Sequence, residues 1–501
     1  MPDGAATPEL NLPTDLAVCH GMIRELLWTG HHQERRIAQL EHQLDQLLKR
    51  LYGPRADRIN PNQPLLFEEP PAESPLPRPE PAEESPPTGK STQGHGRKAL
   101  PKNLRRETVV VDIPEAEKLA IGGNWIKIGE EVSEKLDFTP SSLFVRRIVR
   151  PKYVVRFAAK PDELKIAALP PEALPKSKAA PGLVADVVVS KCVDHLPLYR
   201  QEQRYARQGV ELSRSTLCGW LAETAEVLTP LYTLLKARVL SAKVVHTDDT
   251  PIPVQDKSRE HCRTGRIWAY VSTGGVVYHA TEDRCRDGPL EFLKGYRGYL
   301  QCDAYSGYDE LFRLAQGTIV EVACWAHARR KFVEAEKTSP QLAHEAVARI
   351  RALYAVEQEA KDLDAAARAA LRQQKVRPLL DALKLWLDRE QAQVVPKTPI
   401  AEAIHYALNQ WAGLNVYVHD GDLAIDNNAA ERAIKPFAIG RKNWLFFGSD
   451  HGGQALAIIA SFTATCQLLK SNPWIWLRDT LTYLPVTPAE QLTTLLPVAA
   501  N

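Results

Sequence analysis

A chain of 501 residues has room for two to four domains, so a single site need not account for all of it. Its 63 Lys and Arg against 61 Asp and Glu leave a formal charge of +2, which excludes a partner selected by overall charge and leaves only local electrostatic signals. Eight scattered cysteines with no CxxC pair exclude a small disulfide-stapled fold and read as reduced thiols; with no basic-then-apolar start and no run of about eighteen apolar residues, they point to a soluble, cytoplasmic protein with no membrane partner.

In chain order, residues 1–52 form an N-terminal helical, leucine-zipper-like region. Ile37, Leu40, Leu44, Leu47 and Leu51 alternate spacings of three and four, which makes a short coiled-coil seam or one face of a single amphipathic helix. Residues 53–107 are a linker: Pro54 to Pro101 holds twelve of the 37 prolines, a composition that cannot bury a core. Its end carries Lys90, Arg97, Lys98, Lys102, Arg105 and Arg106, either a basic arm for phosphates or a solvated tail.

Residues 108–168 make a small β-rich module with runs such as LFVRRIVR and KYVVRFAA. Ser141 to Arg200 holds eleven Lys or Arg against five Asp or Glu, and Arg146, Arg147, Arg150 and Lys152 are its candidate DNA contacts, with a solvated face as the alternative. Residues 169–240 read as helical. In GVELSRSTLCGWLAETAEVL, Gly209 makes a turn and Ser213 or Ser215 an N-cap, which suits a helix-turn-helix with Arg214 on DNA, although any two-helix corner looks similar.

From residue 241 to 332 the pattern changes to three strand-like runs (KVVHTD, RIWAYVS, GVVYHA), a helical piece, the strand GYLQCD, a helix and the strand TIVEVACWAH. This order indicates a mixed sheet with helices against it. Residues 333–414 form an all-α insertion. Residues 415–472 complete the domain with IDNNAAERAIK, a strand-like NWLFFGS and a helix, and 473–501 are a C-terminal tail.

The informative feature is acids at strand ends. Asp248 or Asp249 closes the first strand and Asp303 the fourth, and in a sheet of this order those two strands can be neighbours. Glu431 follows on a helix that starts at Asn427 or Asn428. Three convergent carboxylates suit Mg2+ or Mn2+, which take oxygen ligands, and two such ions suit phosphodiester displacement. Turn or cap roles, including a capping box between Asn428 and Glu431, are the plainer alternatives. Arg432, Lys435, Arg441 and Lys442 surround the third acid, and His327, Arg329, Arg330 and Lys331 lie in CWAHARRKF, either for a bound polyanion or as a salt-bridged surface. His327 is either an active-site or a core histidine.

HTDDTP, QCDAYSGY, ACWAHARRKF and IDNNAAERAIKPFAIGRKNWLFFGS, in this order and spacing, together resemble the transposases of the insertion sequence 66 family, one of the DDE transposase families. The resemblance implies an RNase H-like catalytic domain with a helical insertion before its last acid, cleavage at transposon ends and attack of the freed 3′-hydroxyl on target DNA. It makes Asp248, Asp303 and Glu431 the triad, at spacings of 55 and 128 residues, with two Mg2+ or Mn2+ ions. It also implies a homo-oligomer on DNA, association with the bacterial nucleoid and accessory proteins from the same element. The family pattern has its constant Asp first and either acid second. Period two puts Asp248 with Val244 and His246 on one face and Asp249 with Val245 and Thr247 on the other, so Asp249 and His327 are expected to support the triad rather than join it. Pro251 and Pro253 are expected to end the strand's ladder.

One departure stands out. Family members typically carry a zinc-binding module after the linker, but Lys118, Ile121, Val155 and Ala158 stand at the ligand places here. No zinc is predicted there, and the apolar residues Ile126, Ile128, Leu136, Phe138 and Val154 must hold the module. A structure-specific nuclease and a non-catalytic DNA-binding protein are the competing readings.

Overall fold

The computed structural model describes residues 104–499, apart from 122–123, 140–141, 157–162, 176 and 257, together with His20, Gly30, Gln33, Leu100 and Lys102. The N-terminal seam and the Pro-rich linker lie outside the described residues.

The first sheet contains β1 (Arg105–Val110), helix α1 (Glu115–Ile121) beside it, then β2 (Asn124–Thr139), β3 (Ser142–Arg156) and β4 (Glu163–Ile166). β2 and β3 run antiparallel along their whole length, while β1 (parallel) and β4 (antiparallel) share the other edge of β3. The two β-like runs expected around Pro151 are therefore one strand. Its Arg-rich face is matched across the ladder: Glu131 stands opposite Arg150 and Glu134 opposite Arg147. The packing set differs from the expected one. Leu136 is buried, but Ile128 is 54% exposed, because the register slips between Lys127 and Gly129 and leaves it outside the ladder. Leu143, Val145, Ile148, Val149 and Val155 fill the interior instead.

Three helices follow: α2 (Pro181–Cys192), α3 (Leu198–Ala206) and α4 (Arg214–Leu240). Gly209 turns the corner with φ +79°, a left-handed conformation that costs glycine little. Ser213 caps α4 by accepting from Thr216 N at 3.2 Å. Beyond its exposed first turn, α4 buries Leu217, Trp220, Leu228, Leu231 and Leu235 and packs against the second sheet.

That sheet holds β5 (Val244–Val254), β6 (Arg263–Ser272), β7 (Gly275–Thr281), then α5 (Asp287–Phe292), β8 (Gly298–Gln301), α6 (Asp309–Ala315) and β9 (Ile319–Val322). The spatial order is β7-β6-β5-β8-β9, antiparallel from β7 to β5 and parallel from β5 to β9. The first and fourth strands are neighbours, as their order in the chain suggested. Pro251 and Pro253 do not end β5, since its ladder with β6 continues to Val254. β8 pairs only as far as His246, so the edge of β5 next to the prolines has no partner strand to accept an N–H.

Helices then alternate with short turns: α7 (Trp325–Ala335), α8 (Pro340–Glu359), α9 (Ala365–Leu371), α10 (Arg377–Gln391), α11 (Pro399–Asn409) and α12 (Trp411–Asn415). They share a core of Trp325, Ile350, Leu353, Leu380, Trp386 and Ile404. α13 (Asn428–Trp444), α14 (Asp450–Leu468) and α15 (Pro473–Tyr483) return to the sheet. α13 and α14 pack Ile434, Phe437, Leu456 and Ala457 on the face of β5 and β6 that holds Ile252, Ile267 and Ala269. The run NWLFFGS forms no strand: α13 consumes Asn443 and Trp444, and Phe447 makes only an isolated bridge to Val254.

Candidate active site

Parallel pairing places His246 of β5 beside Gln301 of β8. The pairing ends there, so Asp248 and Asp303 each stand two residues past the last paired residue of neighbouring strands. Both lie just where β8 stops, and strand ends of a parallel pair are where a sheet opens a crevice.

The faces separate the adjacent acids of the first strand. Asp248 lies opposite Ala269, on the side covered by α13. Asp249 lies opposite Trp268 on the other side, with a side chain only 3% exposed. Its carboxylate accepts from Arg266 Nη1 at 2.8 Å and from Arg284 Nη2 at 2.8 Å and Nε at 3.1 Å. Two guanidiniums therefore consume its acceptor capacity, which makes it part of a buried ion cluster. Arg284 also stands 3.8 Å from Asp303 and stacks 4.1 Å from the Tyr305 ring centroid, so it bridges the two acids.

Asp248 has no such cation. Its Oδ1 accepts from the backbone N–H of Asp249 at 2.8 Å. Burial pushes its carboxyl up to about 7, and the negative charges of Asp303, Asp249 and Glu431 add to the rise. Burial also raises Asp303, more than His327 and Arg284 lower it. Two half-buried, under-compensated carboxyls beyond the paired part of neighbouring strands fit a divalent cation held by oxygen.

Glu431 enters from the first turn of α13. The N-cap is Asn427, whose side chain makes no cap bond. Its amide donates to Thr247 O at 2.8 Å and its Oδ1 stands 3.2 Å from His246 Nδ1, while its own N–H goes to Cys324 Sγ at 3.1 Å. Because Asn427 rather than Asn428 is the N-cap, Glu431 falls at the fourth helical position, and the expected capping box between Asn428 and Glu431 does not form. Glu431 Oε1 is buried without a hydrogen-bond partner, 3.6 Å from His327 Nε2 and 3.5 Å from Arg330 Nη2. Burial lowers His327 below its ordinary value, and Arg330 adds to that.

The cations divide into two groups. Arg329, Arg330 and Lys331 on α7 and Arg432, Lys435 and Lys442 on α13 are exposed, and Arg330 stands 3.5 Å from Glu431. Arg441 is turned inward and donates to Thr250 Oγ1 at 3.2 Å and Pro251 O at 2.5 Å. Arg214 is exposed and 3.2 Å from Glu202. In the first sheet, Arg150 is 7% exposed and committed to Glu131 at 2.7 Å and Ala167 O at 2.8 Å. Arg146 pairs with Asp137 at 2.7 Å, Arg147 with Glu134 at 3.9 Å and Lys152 with Glu131 at 3.8 Å. Sequence reasoning missed Arg266, Arg284 and Cys324. The two arginines carry no periodic signal, and only the folded sheet brings them to Asp249.

Contrary to expectation, Asp248 does not close its strand but lies within β5, two residues past the last residue paired with β8. A mixed sheet with acids just beyond the paired part of two parallel neighbours, and a further acid from a later helix, is consistent with a DDE-like transposase domain. Residues 176–455 match the family described as "Transposase IS66 family", and residues 39–109 match "Transposase C of IS166 homeodomain". Three proteins of Sinorhizobium fredii (strain NBRC 101917 / NGR234) are each 35% identical to this chain: "Uncharacterized protein y4hP" over 80% of this chain and 76% of its own length, y4jD over 79% and 81%, and y4qI over 80% and 77%. The chain belongs to the IS66 transposase family. Membership supports a transposase role with DNA as partner, and in general a need for divalent metal. Among the described residues, no helix is long and apolar enough to cross a membrane.

Proposed function

We propose that the protein cuts DNA at the ends of its own insertion sequence and joins the freed 3′ ends to target DNA, using an RNase H-like sheet and the carboxylates of Asp248, Asp303 and Glu431. The observation that most supports this is that β5 and β8 pair up to His246 and Gln301, two residues before Asp248 and Asp303, with Asp248 within the field of both Asp303 and Glu431. In the first step water attacks phosphorus and the 3′-oxygen leaves as a hydroxyl. In the second that hydroxyl forms a new P–O bond in the target and displaces a target 3′-oxygen. Two oxygen-held Mg2+ or Mn2+ ions would polarise the phosphate and activate the attacking oxygen.

The residues of the chain have distinct parts in this reading. Asp248 and Asp303 hold cation charge at the strand ends, and Glu431 closes the group from α13. Asp249 is held away from the site by its two arginines. Arg329, Lys331, Arg432 and Lys442 meet phosphates along the rim, with Arg214 as a more remote contact. The units read from the sequence, from the leucine-rich region to the helical insertion, serve as end-binding and scaffold parts, in a homo-oligomer on DNA with companion proteins of the element. Incubating the chain with end-sequence DNA, target DNA and Mg2+ tests this. Parent protein should cut and join, Asp303→Asn should do neither, and cutting without joining would identify a nuclease instead.

A further inference from the structure

Glu431 also belongs to a group of donors with different chemistry, and that group is drawn together more closely than the three acids are. Cys324 Sγ, a ring nitrogen of His327 and a carboxylate oxygen of Glu431 all lie within 4.8 Å of one another, the one such His/Cys/Asp/Glu group among the described residues. Cys324 stands at the N-cap of α7 and His327 one turn on, so a Cys-Xaa-Xaa-His segment presents both donors from one rigid helix start. Glu431 arrives from the first turn of α13, and the bond from Asn427 N to the sulfur ties the two helix starts together.

Three features point to a ligand. Glu431 Oε1 and His327 Nδ1 are both buried and both lack a hydrogen-bond partner, which is costly unless something else satisfies them. Burial pushes the Cys324 thiol up to about 11, and backbone N–H groups of Asn427, His327 and Ala326 aimed at the sulfur offset only part of that rise, so an arriving cation would supply the missing compensation for a thiolate. A tetrahedral ion with bonds of about 2.0–2.3 Å has donor separations of about 3.3–3.8 Å, so closing the group needs a contraction of roughly 1 Å.

We propose that Cys324, His327 and Glu431 form a cation site for a borderline-soft transition-metal ion of the zinc type, with a fourth position open to water. Thiolate and imidazole select such an ion over Mg2+, whose affinity lies with oxygen. The site is separate from the cysteine places vacant in the first sheet, and it shares Glu431 with the proposed triad. Arg330, 54% exposed at its side chain, can swing from Glu431 into solvent as the ion arrives. Binding releases the Cys324 proton.

The test uses the full chain, freed of metal by a chelator and titrated with Co2+ alone in the absence of DNA. One ion per chain should give a sulfur-to-cobalt charge-transfer band. Cys324→Ser should lose the band, His327→Gln should weaken binding at least about tenfold, and Cys262→Ser, at an exposed cysteine, should keep it. Excess Mg2+ should not displace the Co2+. No band, a band that survives in folded Cys324→Ser, or displacement by Mg2+ would overturn the proposal. If circular dichroism shows Cys324→Ser unfolded, unchanged affinity in His327→Gln overturns it instead. A chain that binds Co2+ here but cuts no DNA leaves the site standing and sinks the proposed function, and the reverse result does the opposite.

Discussion

The side-chain amide of Asn427 donates to the carbonyl oxygen of Thr247 at 2.8 Å, one residue before Asp248. A residue fully buried at the start of α13 is thereby fastened to the strand that carries the first acid. Asn427 is a positioning residue for Glu431: it sets the distance between the helix and strand that supply the outermost two carboxylates.

Asn427→Ala should lower stability by about 1–3 kcal/mol, because Thr247 O is left buried and unpaired. If the triad is as proposed, it should slow cleavage about a hundredfold, as a displacement of roughly 1 Å at a reacting group does. Thermal melts and single-turnover cleavage measure the two effects separately. A stability loss with an unchanged cleavage rate would show that the bond is structural only.

Asp248 gives a pH signature. Its carboxyl is raised from 3.8 to about 7 in the fold, so the protonated form is favoured there. Its stabilising contribution is full below pH 3.8 and is lost as pH rises through about 7, a cost on the order of a few kcal/mol. With chelator present, Asp248→Asn should melt higher than the parent at pH 8 and alike at pH 4. Equal melts at pH 8 would mean that the fold does not strain this acid.

Removing Asp249 should act through stability. Asp249→Ala leaves Arg266 and Arg284 without their shared carboxylate, at a cost of about 3–5 kcal/mol. Asp249→Asn keeps the shape and should only weaken cleavage, whereas Asp248→Ala abolishes it. Cleavage assays on folded fractions decide, and the reverse ranking would move the first ligand to the other face of β5.

Arg372 should prove essential to the insertion. It is 1% exposed, pairs with Glu357 at 2.7 Å, and donates to the carbonyls of Tyr417, Asp420 and Leu423. Arg372→Met should cost about 3–5 kcal/mol and speed hydrogen exchange across residues 417–423. Unchanged exchange there would mean that the loop before Glu431 is held by other contacts.

Salt dependence of DNA binding should separate the arginines. Each lost phosphate contact lowers the slope of log affinity against log salt by about 0.9. Arg329→Gln and Lys442→Gln should each do so, whereas Arg150→Gln should destabilise the first sheet and leave the slope of the folded fraction unchanged. A smaller slope for Arg150→Gln alone would relocate the interface.

The succession of strands along the chain, the adjacency of the first and fourth strands, and the placing of Asp248 and Asp249 on opposite faces were legible because chain order and period two are local signals. The basic excess between Ser141 and Arg200 overstates the local charge because its counter-charges, Glu131, Glu134 and Asp137, lie on β2, outside the window counted. NWLFFGS looked like a strand because aromatic runs favour strands, but α13 continues through Trp444 and ends at Leu445 with φ +64°. The clamp on Asp249 and the meeting of Cys324 with Glu431 were not legible, since residues 17 to 107 positions apart meet only through sheet pairing and helix docking.

The helical insertion also sets a schedule. A ribosome that has just delivered Asp303 must add 128 more residues before Glu431 exists, which takes roughly ten seconds at bacterial rates. A nascent or truncated chain therefore carries two acids of the proposed three. On this reading the means to break DNA arrives only once most of the polypeptide has been made, and a prematurely terminated product is harmless to the genome that encodes it.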